Sequence, residues 1–188
     1  MGQPKLLLPW GETTVLGHLL SQWQRLGAQQ IAVVCAADDT GLLPELDRLG
    51  FPAVGRIFNP AAERGMFSSI QCAARWPEWD ASLTHWAIVL GDQPHLRPNT
   101  LEAVLKLCAV QPSSVCQPSR AGRGRHPVVL PKAVFQRLAA AVASTFKEFL
   151  ESLPTPVARA EQDDPGLDLD IDRFEDYEQA LRLARVVR

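Results

Sequence analysis

Residues 84–94 read THWAIVLGDQP. Five consecutive apolar residues, Trp86 to Leu90, have the length of a strand and stop at Gly91-Asp92-Gln93-Pro94. An apolar run without polar alternation belongs to a strand covered on both faces, and such strands sit in sheets flanked by helices. A carboxylate at the tip of that strand stands where open α/β sheets bind ligands, at the carboxyl ends of the strands. The residue type suits a hard cation: magnesium takes one or two carboxylates and keeps phosphates and water for its other positions. A turn or helix-cap aspartate would look the same.

Outward from this run, strand patterns alternate with helix patterns. ETTVLGHLLSQWQRLGA (12–28) opens with threonine caps, places Val15, Leu16, Leu19, Leu20, Trp23 and Leu26 on one stripe, and stops at Gly27. QIAVVCAA (30–37) and VGRIF (54–58) read as strands, with DDTGLLPELDRLG (38–50) as a helix between them. ERGMFSSIQCAARW (63–76) reads as a helix with Met66, Phe67, Ile70 and Ala74 inward. PNTLEAVLKLCAVQ (98–111) carries a capping box, Asn99 to Glu102, ahead of its helix. SVCQPS, HPVVLP and PVARAEQ are further strands, KAVFQRLAAAVASTFKEFLESL is helical in two pieces, and the last helix turns Phe174, Tyr177, Leu181 and Ala184 inward. The alternation predicts an α/β fold with a mostly parallel sheet covered on both faces. The polar, glycine-rich PSRAGRGRHP (118–127) is a candidate flap.

The 188 residues suffice for one domain, and 46% apolar and 21% charged residues with a net charge of -2 describe an ordinary globular chain. The charge argues against nucleic acid as a partner, and no apolar run reaches the length of a membrane span. The four cysteines lack CxxC spacing and read as reduced core thiols of a cytoplasmic protein.

Three further features bear on chemistry. In LDLDIDRFED (167–176), Asp168, Asp170 and Asp172 alternate with Leu169 and Ile171, which puts like charges on one side of an extended segment. A cation would relieve them; equally, Asp172 with Glu175 could cap the last helix. Lys5, in MGQPKLLLPW (1–10), is either a point charge for phosphate oxygens or a solvated terminal lysine. His126 could touch a substrate or serve a turn, and Ser68 and Ser69 could meet an anion or simply begin a helix.

Taken in order, MGQPKLLLPWGETTVLGHLL, NPAAERGMFSSIQ, VLGDQPHL, GRHPVVLP and DIDRFEDYEQA resemble the nucleotidyltransferases of molybdenum-cofactor maturation, the molybdopterin cytidylyl- and guanylyltransferase-like enzymes. The resemblance implies a three-layer α/β/α sandwich of the nucleotide-diphospho-sugar transferase type. It implies transfer of a nucleoside monophosphate from a triphosphate, CTP ahead of GTP, to a phosphorylated small molecule such as molybdopterin, with Mg2+ as cofactor and a molybdoenzyme as a further partner. Lys5 would contact phosphates and Asp92 would bind magnesium, with Asp172 first and Asp170 second as the other acidic ligand. Gly2, Asn59, Gly65, Ser68, Ser69 and Gly91 would line the nucleotide site, and His126 would meet the acceptor. The alternatives are a non-catalytic nucleotide- or pterin-binding accessory protein and a sugar- or alcohol-phosphate nucleotidyltransferase. The chain departs from the family at Arg125, where a glycine is usual, and at Arg173-Phe174, where Thr-Pro is usual. Family members also begin with a central strand and a glycine-rich loop. Residues 1–188 are therefore expected to form one domain lacking both, with the coding region continuing upstream.

Overall fold

A computed structural model of the chain describes residues 4–36 and 39–185. A 3-10 turn at Lys5–Leu7 leads into β1 (Pro9–Trp10), β2 (Thr13–Thr14) and α1 (Val15–Arg25). Then follow β3 (Val33–Ala36), α2 (Leu42–Arg48), β4 (Arg56–Asn59), α3 (Met66–Arg75) and β5 (His85–Ile88). Next come α4 (Pro98–Val110), β6 (Cys116–Arg120), β7 (Arg123–Gly124), β8 (Val128–Pro131), α5 (Lys132–Leu138), α6 (Phe146–Glu151), β9 (Ala158–Glu161) and α7 (Phe174–Arg185).

The strands form a layer between two layers of helices, and strand register explains how. β5 and β8 run antiparallel with Trp86 opposite Leu130, Ala87 opposite Val129 and Ile88 opposite Val128. Successive side chains point to opposite faces. Trp86, Val128 and Leu130 therefore join Phe67 and Ile70 of α3, Phe135 and Leu138 of α5, and Phe146 and Phe149 of α6 in one core. Trp86 and Phe135 stack with ring centroids 4.5 Å apart. On the other face, Val129 and Cys116 pack with Val104 and Cys108 of α4, while Leu16 and Leu20 of α1 meet Cys35 and Leu46.

The sheet is mixed. β8 runs against both β5 and β6, whereas β9 runs parallel to β6 and β4 parallel to β3. Strands β5, β6 and β9 thus share one direction and β8 is reversed. Among the described residues β3 and β4 pair only with each other, separately from the five-stranded sheet that begins at β5.

Several local expectations change. Helix α4 starts at Pro98 with Arg97 as its cap residue, so Asn99 is not a cap. The open end is served instead by a distant carboxylate: Asp164 accepts from Arg97 N at 3.0 Å and from Thr100 Oγ1 at 2.8 Å. Thr14 caps α1 as expected, accepting from Gly17 N at 3.1 Å. Met66 and Phe174 are exposed rather than inward, at the first residues of α3 and α7. The candidate flap is in part a β6–β7 hairpin, turned at Ala121 and Gly122 with φ of 50° and 74°. All four cysteines are free thiols. Burial pushes Cys35 up to about 11 and Cys108 up to about 12, which leaves both protonated and unreactive.

Candidate functional site

Residues 8–19 and 171–180 are packed together, and this builds the site. Leu8 and Trp10, Val15 and Leu19 of α1, and Ile171, Tyr177 and Ala180 around the start of α7 share one small core. The Tyr177 hydroxyl donates to the Pro9 carbonyl. Ile171 N donates to Asp92 O at 3.2 Å, which hangs the acidic segment on the turn after β5. Leu6 lies against Gly91 so closely that a Cβ there would sit 2.7 Å from Leu6 Cδ2. Glycine before the aspartate therefore lets the N-terminal turn approach the strand end.

Lys5 and two carboxylates meet at this junction. Lys5 Nζ lies 2.8 Å from Asp92 Oδ2 and 3.1 Å from Asp172 Oδ1. Burial pulls the Lys5 ammonium toward deprotonation, but its bonds to Asp92 and Asp172 prevail and hold it above its ordinary value. The other oxygen of Asp92, Oδ1, is buried and has no partner among the described residues. A cavity of about 360 Å³ opens beside the group, lined by Pro4, Lys5, Leu6, Asp39, Gly91 and Asp92.

Asp170 and Asp172 have different partners. Asp170 Oδ1 accepts from Gln93 Nε2 at 2.8 Å, away from Lys5. Asp172 does not cap α7: Asp176 does, accepting from Arg173 N at 2.7 Å. Two carboxylates facing one cation, one with an unpartnered oxygen, fit a divalent ion that takes few protein ligands. Among the described residues no cluster of three or more histidine, cysteine or acidic side chains could hold a metal alone. Any ion here would complete its shell with ligand oxygens and water.

The remaining residues form neighbouring groups. Asn59 is buried at the end of β4, and its Nδ2 donates to Ser68 Oγ at 2.8 Å and Ser69 Oγ at 3.0 Å. Ser68 Oγ donates to the Gly65 carbonyl at 2.8 Å, and Gly65 adopts φ 86° to open α3. These hydroxyls hold the 60–65 loop, and none of these residues lines the cavity at Lys5. His126 Nδ1 lies 3.3 Å from the Ile88 carbonyl; burial pushes the ring toward neutrality, against the pull of Asp170 and Asp92. Gly2 lies outside the described residues.

Arg125, unusual in sequence, has a partner: its Nε donates to Asp168 Oδ1 at 3.0 Å, and Arg120 Nη1 holds the other oxygen of the same carboxylate. Both arginines keep Asp168 below the usual carboxylate range. Asp164, which holds the start of α4, is a positioning residue that motif reading missed. The only signal was Asp164-Pro165-Gly166, which marks a turn but not its partner 64 residues away.

The three-layer frame is an α/β fold of the nucleotide-diphospho-sugar transferase type. The family model of the MobA-like NTP transferase domain matches residues 1–157, and the chain belongs to that family. Its relatives by structure include an Rv0371c homologue from Mycobacterium sp. strain JC1, 26% identical, with TM-score 0.77 over 99% of this chain and 91% of that one. Rv0371c of Mycobacterium tuberculosis H37Rv in complex with manganese is 26% identical, with TM-score 0.69 over 96% and 93%. Molybdopterin-guanine dinucleotide biosynthesis protein A from Archaeoglobus fulgidus is 14% identical, with TM-score 0.67 over 98% and 92%, a likeness of fold. No curated protein matches the chain. The family supports a nucleotidyltransferase, with a nucleoside triphosphate as the implied substrate. No helix among the described residues is long and apolar enough to cross a membrane.

Proposed function

We propose that the chain transfers a nucleoside monophosphate from a nucleoside triphosphate to a phosphate of a small acceptor, with molybdopterin as the acceptor and CTP ahead of GTP as the donor. An acceptor phosphate oxygen bonds to the α-phosphorus, the bond from that phosphorus to the bridging oxygen breaks, and pyrophosphate leaves. The observation that carries this reading is the convergence of Lys5, Asp92 and Asp172 beyond the carboxyl end of β5.

Little covalent chemistry is required of the protein. Its task is to hold two polyanions in line and to meet their charge with fixed cations. Lys5 supplies a point charge for the phosphate oxygens. Asp92 and Asp172 would hold Mg2+, which would neutralise charge on the triphosphate when bound. The relative solved with manganese, at 26% identity, supports a divalent site on this frame. Asn59 and Ser68 shape the loop before α3, which would receive the nucleotide, and His126, which burial pushes toward neutrality, would meet the acceptor.

Incubation with Mg2+, molybdopterin and each triphosphate in turn should release pyrophosphate with one of them. No release with any triphosphate would reject the enzyme reading and favour a binding accessory protein. Release only with a sugar phosphate as acceptor would reassign the substrate.

A further inference from the structure

The ammonium of Lys5 stands where the acidic pair would hold a metal. It bonds to Asp92 Oδ2 and Asp172 Oδ1 at once, at 2.8 and 3.1 Å. A divalent ion facing the same two oxygens would stand a few ångströms from the ammonium, where two cations repel strongly in a partly buried setting. The backbone cannot give way easily, because Leu6 is wedged against Gly91 and Leu8 and Trp10 are buried in the core shared with α7. The lysine stem is flexible, and the cavity of about 360 Å³ that Lys5 and Asp92 line gives the ammonium room to turn.

We propose that Lys5 is an internal counter-cation of the acidic pair, which makes metal and triphosphate bind as a coupled pair; this rests on the reading of Asp92 and Asp172 as the metal-holding residues. Metal alone, whether it takes Asp92 Oδ1 or the oxygens that Lys5 holds, must either crowd the ammonium or displace it from its carboxylates. Triphosphate alone must draw Lys5 away and leave two carboxylates without a cation. When both arrive, Lys5 exchanges carboxylates for phosphate oxygens and the metal takes the carboxylates. Each ligand then raises the affinity for the other by the same factor. The device also offsets half of the charge of the acidic pair in the free protein.

The test titrates the protein with Mn2+ alone and reads free Mn2+ by electron paramagnetic resonance. Removing the tethered cation in Lys5→Met should tighten Mn2+ binding at least tenfold over the parent chain. Lys5→Ala gives the same comparison with a smaller side chain, and circular dichroism confirms that each variant is folded. Adding Asp92→Asn to Lys5→Met should remove the gain. Equal or weaker Mn2+ binding in both folded lysine variants overturns the counter-cation proposal while leaving the metal site in place. Tight binding that survives Asp92→Asn places the metal elsewhere and overturns the site reading with it.

Discussion

Asp164→Ala should be among the most damaging single changes outside the apolar core. Asp164 is buried at 2% exposure and serves three donors. Arg97 N and Thr100 Oγ1 reach one carboxylate oxygen at 3.0 and 2.8 Å, and Gly166 N reaches the other at 2.9 Å. The substitution leaves the first turn of α4 uncapped and the Gly166 amide without an acceptor. An orphaned buried donor costs roughly 1–3 kcal/mol, and bonds to a charged acceptor lie at the upper end. Arg97 can partly rehydrate, so the total is set at about 3–5 kcal/mol, against a total stability of about 5–15 kcal/mol for a domain. With a urea slope of about 2 kcal/mol per molar, the unfolding midpoint should fall by about 2 M. Asp164→Asn keeps one acceptor and presents an amide to the other donors, so it should fall between the two. A midpoint shift of less than about 0.5 M for Asp164→Ala, with an unchanged slope, would refute the reasoning, because it would mean that water replaces the carboxylate at little cost.

Two further outcomes follow from the charges. Arg125→Gly, which installs the residue usual in the family, leaves Asp168 with Arg120 and removes a pair whose side chains are 28% and 38% exposed. It should cost no more than about 1 kcal/mol, a fall in Tm of at most about 4 °C for a chain of this size; a larger fall in differential scanning fluorimetry would show that the pair organises the hairpin. Burial holds His18 and His95 below their ordinary value of 6.5, so the unfolded chain takes up protons that the folded chain resists. Stability contributed by these neutral rings is complete above about pH 6.5 and declines as the pH falls through their lowered values. Urea midpoints should therefore drop between pH 7.5 and pH 5, and equal midpoints would contradict the burial of neutral histidine.

The alternation of elements was legible because each carries its own period. The apolar run at 86–90 and the stripe of α1 demand a strand and a helix wherever they lie. The reversal of β8 was not legible, since HPVVLP reads the same in either direction. Asn99 shows how a local cap motif loses to a distant one: Asp164 satisfies the α4 terminus from another segment, and no spacing in the sequence records that. The site was half legible. Asp92 stood out by its place at a strand end, and Lys5 only through resemblance, because nothing local says that residues 5 and 172 meet. The contact comes from tertiary packing of Leu8 and Trp10 against Ile171 and Tyr177. Asp170 and Asp172 are equivalent by pattern, and only the fold shows that Gln93 bonds to the first and Lys5 to the second.

Pyrophosphate release by the parent chain and by Asp92→Ala, with Mg2+ and molybdopterin and the triphosphate that the parent chain uses, tests the catalytic assignment most directly. Asp92 joins Lys5 to the strand end, and its loss should reduce turnover by at least about a hundredfold, the scale for removing one preorganised electrostatic contact. Circular dichroism should be unchanged, because Lys5 keeps Asp172 and the apolar core is untouched. Turnover equal to that of the parent chain would contradict the assignment of the chemistry to this junction.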